Sequence, residues 1–376
     1  MKRVIILGVS GSIGLQTVEV IKQYSKDFKI VAVSVGTNVE VLKSLVGQFG
    51  SIEAAYSIEP TKLNVPNFSG RTGIIDLLRC VEADIVVNAL VGSIGFRPSI
   101  EALSLGRVLC LANKETLVMG GSLVNEILQK TGGKIIPVDS EHSGIYNIIK
   151  DNKEKTLKRV FITASGGSLR DYKRKQLKRV TIKDVLSHPT WSMGDKITVD
   201  SATMMNKVFE IIEAHYLFDL SVKQITPLLH RQSYIHAMVE FTDKTLVKDE
   251  SFPDMKRPIA CALLDKTLPV QTDEQPPKIT IKTLSYMRYP LLKLAKQVIN
   301  GSRVLGVVLN VSNDLAVEAF LKGRIGFIEI ENIITKTFKY YKRNLSANMV
   351  QLSLDNIDSI VSQTKDYINT TFKIGG

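Results

Sequence analysis

The chain reads as an α/β protein: an N-terminal doubly wound parallel sheet, a central α+β domain and a C-terminal helical bundle. Three observations predict this. Through residue 138, short runs rich in β-branched residues alternate with amphipathic stretches, and the runs are apolar on both faces, as strands covered by helices on either side must be. From 139 to 264 the texture changes to mixed strand and helix patterns carrying dense polar motifs. From about 290 onward apolar residues recur at helical spacing. At 376 residues the chain is too long for one core, and two or three domains are expected.

In order, strands are predicted at 4–7, 30–35, 85–89, 108–112 and 135–138, with helices at 16–24 and 39–49 between the first of them. These make up the domain 1–138. The domain 139–264 opens on a polar strand end, then holds a strand at 159–163, the turn Ala164-Ser165-Gly166-Gly167, a helix at 202–218 and a strand pair through 230–240. Pro269, Pro276 and Pro277 mark 265–289 as a linker. The remainder, 290–376, is helical, with Leu291, Leu294 and Val298, then Leu315, Ala316, Ala319 and Phe320, then Ile357, Ile360 and Val361 on buried faces.

Composition narrows the function class. Apolar content of 44% and charged content of 23% suit a globular protein in water. No uninterrupted apolar run approaches the roughly 18–20 residues that span a bilayer, so no membrane partner is expected. Cys80, Cys110 and Cys261 lack metal-ligand spacing and read as reduced core residues of a cytoplasmic protein. The net charge of +12 comes mostly from scattered lysines, with one dense run at 173–179 and no interleaved aromatics. That pattern argues against a nucleic-acid partner and for a phosphorylated small-molecule substrate or cofactor.

Gly8-Val9-Ser10-Gly11-Ser12-Ile13-Gly14 follows the first strand and opens a helix. Glycines there let the backbone approach a pyrophosphate, and the helix N-terminus offers it free N–H groups, so the domain is Rossmann-like. The second strand ends in Gly36-Thr37-Asn38 with no carboxylate for ribose hydroxyls, which favours NADPH over NADH.

Asp139 and Glu141 end an extended segment, where alternate residues face the same side. Two carboxylates so close call for a cation such as Mg²⁺ or Mn²⁺, with Glu210 as third ligand ahead of Glu213. The sole tryptophan lies in His188-Pro189-Thr190-Trp191-Ser192-Met193-Gly194, and reads as a lid closing over a ligand. Asn206, Lys207 and Glu210 share one helix face. With Ser165 and Ser201 they suit a phosphate dianion, although Ser201 equally suits a helix cap. Asn113-Lys114-Glu115 follows the fourth strand at the same sheet edge. His142 reads as a support for the carboxylates, and His215, His230 and His236 as structural.

Together these motifs resemble the 1-deoxy-D-xylulose 5-phosphate reductoisomerase family nearly end to end, with Pro253-Asp254-Met255 and Asn310 to Asn313-Asp314 adding to the likeness. The resemblance implies an NADPH- and metal-dependent enzyme of non-mevalonate isoprenoid biosynthesis, forming 2-C-methyl-D-erythritol 4-phosphate, and a homodimer. It makes Asp139, Glu141 and Glu210 the metal ligands, and Lys114, Glu141, His188 and Glu210 catalytic. Substrate contacts fall to Lys114, Ser140, Glu141, Ser165, His188, Trp191, Ser201, Asn206, Lys207 and Glu210. Cofactor contacts fall to Ser10, Gly11, Ser12, Ile13, Gly36, Thr37, Asn38, Asn113, Glu115 and Gly194. Thr37 and Asp195 stand where the family usually has basic residues. The alternatives are an NADP-dependent dehydrogenase of a phosphorylated substrate without rearrangement, and a non-enzymatic nucleotide-sensing protein; neither requires the three carboxylates.

Overall fold

The computed structural model describes residues 1–191, 193–270, 274–345 and 351–374. By packing, the chain divides into two compact units: Met1–Thr116 with Val124–Asn147 and Asp254–Pro269, and the described remainder.

The first unit is built on seven parallel strands, β1 (Lys2–Leu7), β2 (Phe28–Ser34), β3 (Ala54–Tyr56), β4 (Asn67–Phe68), β5 (Ile85–Asn88), β6 (Val108–Leu111) and β7 (Lys134–Pro137), in the order β4-β3-β2-β1-β5-β6-β7. Helices α1 (Ser12–Gln23), α2 (Val39–Gln48), α3 (Gly73–Cys80), α4 (Phe96–Ser104) and α5 (Glu115–Thr131) connect successive strands, and α6 (Ser140–Asp151) follows the last. All five predicted strands are present. The short strands β3 and β4 escaped the sequence reading because two or three residues cannot show a period.

The strand order reverses direction about β1, and ligands of such sheets bind beyond the carboxyl ends of the strands at that switch point. There lie the Gly8 turn, residues 36–38, the loop after β5, and residues 113–115 and 139. Gly8 is at φ +78°, and a Cβ on it would lie 2.7 Å from Ala89 O. A Cβ on Gly14 would lie 2.4 Å from Gly8 O and 2.5 Å from Val9 Cα, so α1 rests directly on the turn.

The second unit opens with α7 (Ile182–Leu186) after the first strand of a five-stranded sheet, β8 (Leu157–Ala164). Next come α8 (Asp195–Thr203), α9 (Met205–Phe218), β9 (Ile225–Leu229), β10 (Ile235–Phe241) and β11 (Leu246–Glu250). Helix α10 (Lys256–Leu264) returns to the first unit: Ile259 and Leu263 join the core of the parallel sheet, and Lys256 pairs with Glu19 of α1 at 2.7 Å. Strand β12 (Lys282–Thr283) completes the order β11-β10-β8-β9-β12, in which only β8 and β9 run parallel. Helices α11 (Lys293–Ile299), α12 (Val304–Leu321), α13 (Phe327–Leu345) and α14 (Ile357–Phe372) form the helical end.

Several expectations need correction. The predicted helix at 202–218 is two helices, because Met204 takes a left-handed conformation at φ +66° and breaks the ladder between α8 and α9. The predicted strand pair through 230–240 does not exist as a pair: β9 and β10 flank β8 on opposite sides. Cys110 and Cys261 are buried, with the Cys110 thiol pushed up to about 12 by burial, but Cys80 is exposed. Helix α12 meets the length and mean hydropathy of a membrane-crossing helix, which a search for unbroken apolar runs passes over because Asn310, Asn313, Asp314 and Glu318 interrupt it. It is 78% buried within the protein.

Gly14→Ala will push α1 off the glycine turn, lowering stability by about 1–3 kcal/mol and weakening dinucleotide binding. Urea denaturation and a binding titration check this; unchanged values in both would contradict the close approach of helix and turn.

Candidate functional site

The dinucleotide end is an open cradle. Gly11 is the N-cap of α1 and makes no side-chain cap bond, so the first N–H groups of the helix remain available to an anion. Gly11, Ser12, Gly36, Thr37 and Asn38 are exposed, Ser10 and Ile13 half-buried. A Cβ on Gly36 would meet nothing closer than 3.9 Å, so the chain leaves open space here. Asn38 is engaged locally, its Oδ1 accepting from Val41 N at 3.3 Å as the cap of α2.

Asn113 and Glu115 are buried and act on the loop after β5. Asn113 Nδ2 lies 2.9 Å from the carbonyl oxygens of both Leu90 and Gly92 and from Glu115 Oε2, while Glu115 Oε1 accepts from Gly92 N at 3.1 Å. A Cβ on Gly95 would lie 2.4 Å from the Asn113 side chain. These residues therefore clamp the 90–95 loop at the mouth of the switch point.

Asp139 and Glu141 are not on an extended strand, as the sequence suggested. β7 stops at Pro137, Ser143 N donates to Asp139 O at 2.8 Å, and α6 begins at Ser140. Carboxylates at a helix start and in its first turn are favoured by the helix dipole. The pair still converges: a carboxylate oxygen of each lies within 4.8 Å of the other. Asp139 Oδ2 is ion-paired to the buried ammonium of Lys114. Asp139 Oδ1 is 3.1 Å from His142 Nδ1, yet the two are not aligned as a hydrogen bond, and Oδ1 is a buried oxygen without a hydrogen-bond partner among the described residues. Ser140 Oγ donates to Glu141 Oε2 at 2.5 Å. An unsatisfied carboxylate oxygen beside a second carboxylate fits a hard divalent cation.

In the second unit, Ser165, Gly166 and Gly167 leave the end of β8. Gly166 (φ +95°) and Gly167 (φ +70°) are left-handed, and a Cβ on Gly167 would lie 2.7 Å from Ser201 O, so this loop touches the end of α8. His188 joins the two segments: Nε2 lies 3.1 Å from Ser165 Oγ and 3.5 Å from Ser201 Oγ. The N–H groups of Thr190 and Trp191 both point at His188 Nδ1, at 3.2 and 2.9 Å, which makes Nδ1 an acceptor and assigns the proton to Nε2. Ser165 Oγ then accepts from Nε2 and from Gly167 N at 3.2 Å, leaving its own hydroxyl hydrogen for a ligand anion.

Burial and, secondarily, the positive charge of Arg170 push the His188 imidazole down to about 4. Trp191 is half-buried, 6.2 Å from the His236 ring; Met193 is half-buried and Gly194 exposed, and Ser192 lies outside the described residues. On α9, Asn206 Nδ2 donates to Glu210 Oε1 at 2.5 Å, and Lys207 pairs with Glu210 Oε2 while also donating to Thr163 O. Glu210 is fully buried. The shared face predicted from the spacing is present, with amide and ammonium both directed at the carboxylate. His215, His230 and His236 each bond backbone oxygens, at 2.7, 2.9 and 3.1 Å. Sequence reasoning missed Arg170, whose guanidinium holds Ser165 O and Arg231 O at 3.1 and 3.0 Å; an arginine five residues beyond a turn carries no visible signal.

His188 will titrate near 4 in an NMR experiment on the free protein. Its folded value lies below the ordinary 6.5, so the unfolded chain binds the proton first as pH falls. The stability contributed by the neutral ring is full above pH ~6.5 and lost on descending from there to ~4. A midpoint near 6.5 would contradict the buried, proton-accepting Nδ1.

Comparison with known proteins covers almost the whole chain. Residues 4–121 match the family described as 1-deoxy-D-xylulose 5-phosphate reductoisomerase, 135–218 its C-terminal domain, and 251–367 the DXP reductoisomerase C-terminal domain. The 1-deoxy-D-xylulose 5-phosphate reductoisomerase of Geobacillus sp. (strain WCH70) is 40% identical, covering 98% of this chain and 100% of its own. That of Geobacillus kaustophilus (strain HTA426) is 41% identical over 91% and 93%. A crystal structure of DOX-P reductoisomerase in complex with NADPH, fosmidomycin and magnesium superposes with a TM-score of 0.92 at 31% identity, covering 100% of this chain and 99% of its own. The Zymomonas mobilis enzyme in complex with NADPH gives 0.85 at 30% identity, covering 98% of each chain.

Proposed function

Because the chain belongs to the 1-deoxy-D-xylulose 5-phosphate reductoisomerase family, we propose that it converts 1-deoxy-D-xylulose 5-phosphate to 2-C-methyl-D-erythritol 4-phosphate with NADPH and Mg²⁺ or Mn²⁺. The observation that carries this reading is Asp139 Oδ1, a buried carboxylate oxygen without a hydrogen-bond partner among the described residues, beside the converging carboxylate of Glu141. Relatives bound to NADPH and magnesium support the two cofactors.

Asp139 and Glu141, with Glu210, are the cation's ligands. Bound there, the cation supplies Lewis acidity to the substrate's carbonyl and neighbouring hydroxyl oxygen while one carbon–carbon bond breaks and another forms. NADPH held at the glycine turn would supply the hydride for the reduction. Lys114 and Ser140 orient the hydroxylated carbons, with the Lys114 ammonium ion-paired to Asp139. Ser165, Ser201, Asn206 and Lys207 take the phosphate. A neutral His188 donates from Nε2 and, with Trp191 and Met193, closes water out. Ser10, Gly11, Ser12, Ile13, Gly36, Thr37 and Asn38 meet the dinucleotide, with Gly194 from the lid. Asn113 and Glu115 set the loop that faces the nicotinamide.

Along the chain this divides labour as 1–138 for NADPH, 139–264 for metal, substrate and lid, 265–289 as linker, and 290–376 as helical support. The same reading makes the protein a cytoplasmic homodimer working in non-mevalonate isoprenoid biosynthesis, with family resemblance as its support.

NADPH oxidation on adding 1-deoxy-D-xylulose 5-phosphate will require Mg²⁺ or Mn²⁺ and will cease after dialysis against EDTA. Full activity in metal-free buffer would leave the dehydrogenase alternative standing. Glu210→Gln will lower kcat by at least ~10²-fold while leaving the NADPH dissociation constant within about twofold. Wild-type turnover in this variant would remove Glu210 from the site.

A further inference from the structure

The second unit holds a polar cluster built from residues other than those assigned to ligands. Lys196, in the first turn of α8, lies 2.8 Å from Asp200 Oδ2 one turn on and 3.4 Å from Asp314 Oδ1 of α12. Asn313 Nδ2 donates to Asp200 Oδ1 at 2.8 Å, and Asn310 Nδ2 to Asp314 Oδ2 at 3.1 Å. The Lys196 ammonium also sits 5.2 Å over the Phe209 ring of α9. Asp200, Asn310 and Asn313 are buried. Asn310, Asn313 and Asp314 lie three and four residues apart on one face of α12; Asn313 and Asp314 meet α8, while Asn310 braces Asp314 and also reaches Met119 Sδ at 3.3 Å.

Apolar side chains of the same volume would hold two helices together at least as firmly, since burying ions has a large desolvation cost. What directed polar contacts add is a preferred geometry: the bond from Asn313 to Asp200 and the ion pair of Lys196 with Asp314 set the rotation and slide of α8 against α12, even though Asn310 Oδ1 and Asn313 Oδ1 are buried with no hydrogen-bond partner among the described residues. That placement matters for what α8 carries at its two ends. Its N-cap is Gly194, the last residue of the lid motif, with no side-chain cap bond of its own. Near its other end is Ser201, whose backbone touches the loop at Gly167 and whose hydroxyl is 3.5 Å from His188 Nε2. Immediately beyond, the left-handed Met204 fixes the turn into α9 and hence the position of Asn206 and Lys207 relative to Ser201.

We propose that Lys196, Asp200, Asn310, Asn313 and Asp314 are positioning residues: they lock α8 so that the lid's anchor and Ser201 are held in register with Ser165 and His188 for a phosphate dianion. The proposal rests on the functional reading above. It accounts for the Asn310 to Asp314 motif, which no ligand contact explains, and for why an otherwise apolar helix carries amides and a carboxylate on one face.

The test uses the full-length protein with inorganic phosphate as the probe, by calorimetry at fixed ionic strength, alongside steady-state kinetics. Lys196→Met nearly preserves volume and Asn313→Ala adds no bulk at a buried site, and both remove the directed bonds. Each is expected to weaken phosphate binding, and to raise KM for 1-deoxy-D-xylulose 5-phosphate, by about tenfold. Changes in kcat should stay within about threefold and in NADPH affinity within about twofold, and Lys196→Arg should recover most of the loss. Wild-type phosphate affinity in both variants would overturn the proposal. So would parallel losses in NADPH affinity, kcat and thermal midpoint, which would assign the cluster to folding alone. If the wild-type protein binds phosphate but fails to turn over the substrate, the functional reading fails while the calorimetric comparison still decides the positioning role.

Discussion

A carboxylate cannot stay charged away from water unless something nearby carries the opposite charge or donates to it, and the functional half of each unit is organised around that constraint. Glu210 has no access to solvent. Lys207 and Asn206 meet its two oxygens, and Lys207 reaches on to Thr163 O at the end of β8. The same contacts that keep the charge therefore dock α9 on the second sheet and bring Asn206 and Lys207 to the segment that leads into Ser165. In the first unit the Lys114 ammonium likewise pairs with Asp139. In each unit a lysine thus offsets the charge of an acidic side chain.

Around these charges the backbone is arranged by close approach. Gly8 and Gly14 let α1 settle on the first turn, Gly95 makes room for Asn113, and Gly167 admits the end of α8. Each glycine removes a side chain where two segments must touch, and each contact fixes a local arrangement: the N-terminus of α1 on its turn, the clamped 90–95 loop, and the end of α8 beside Ser165. His188 ties the last of these together. Its ring is kept neutral by burial and by two backbone donors on Nδ1, so it acts as a fixed donor rather than as a titrating base.

Much of this was legible in the sequence because strong patterns are local. The five longer parallel strands, the glycine turn, and the shared face of Asn206, Lys207 and Glu210 all follow from spacing within a dozen residues. What was not legible depends on competition between local preferences. Asp139-Ser140-Glu141 reads equally as a strand end or a helix start, and the chain turns helical at Ser140, with Ser143 N donating to Asp139 O. The break at Met204 is invisible in sequence, since methionine favours helix and only the surrounding packing holds it left-handed. β9 and β10 look like a hairpin, yet the long-range pairing with β8 separates them. Arg170 and the Asn313–Asp200 bond join residues distant in sequence, where no period could reveal them.

The central claim is that Asp139, Glu141 and Glu210 serve one cation. Anomalous diffraction from crystals of this protein grown with Mn²⁺ tests it most directly. The account predicts a single strong peak per chain, with oxygens of all three carboxylates at ~2.0–2.6 Å, the range for hard divalent ions. A peak ligated elsewhere, or one that leaves Glu210 paired with Lys207 and out of reach, would contradict it.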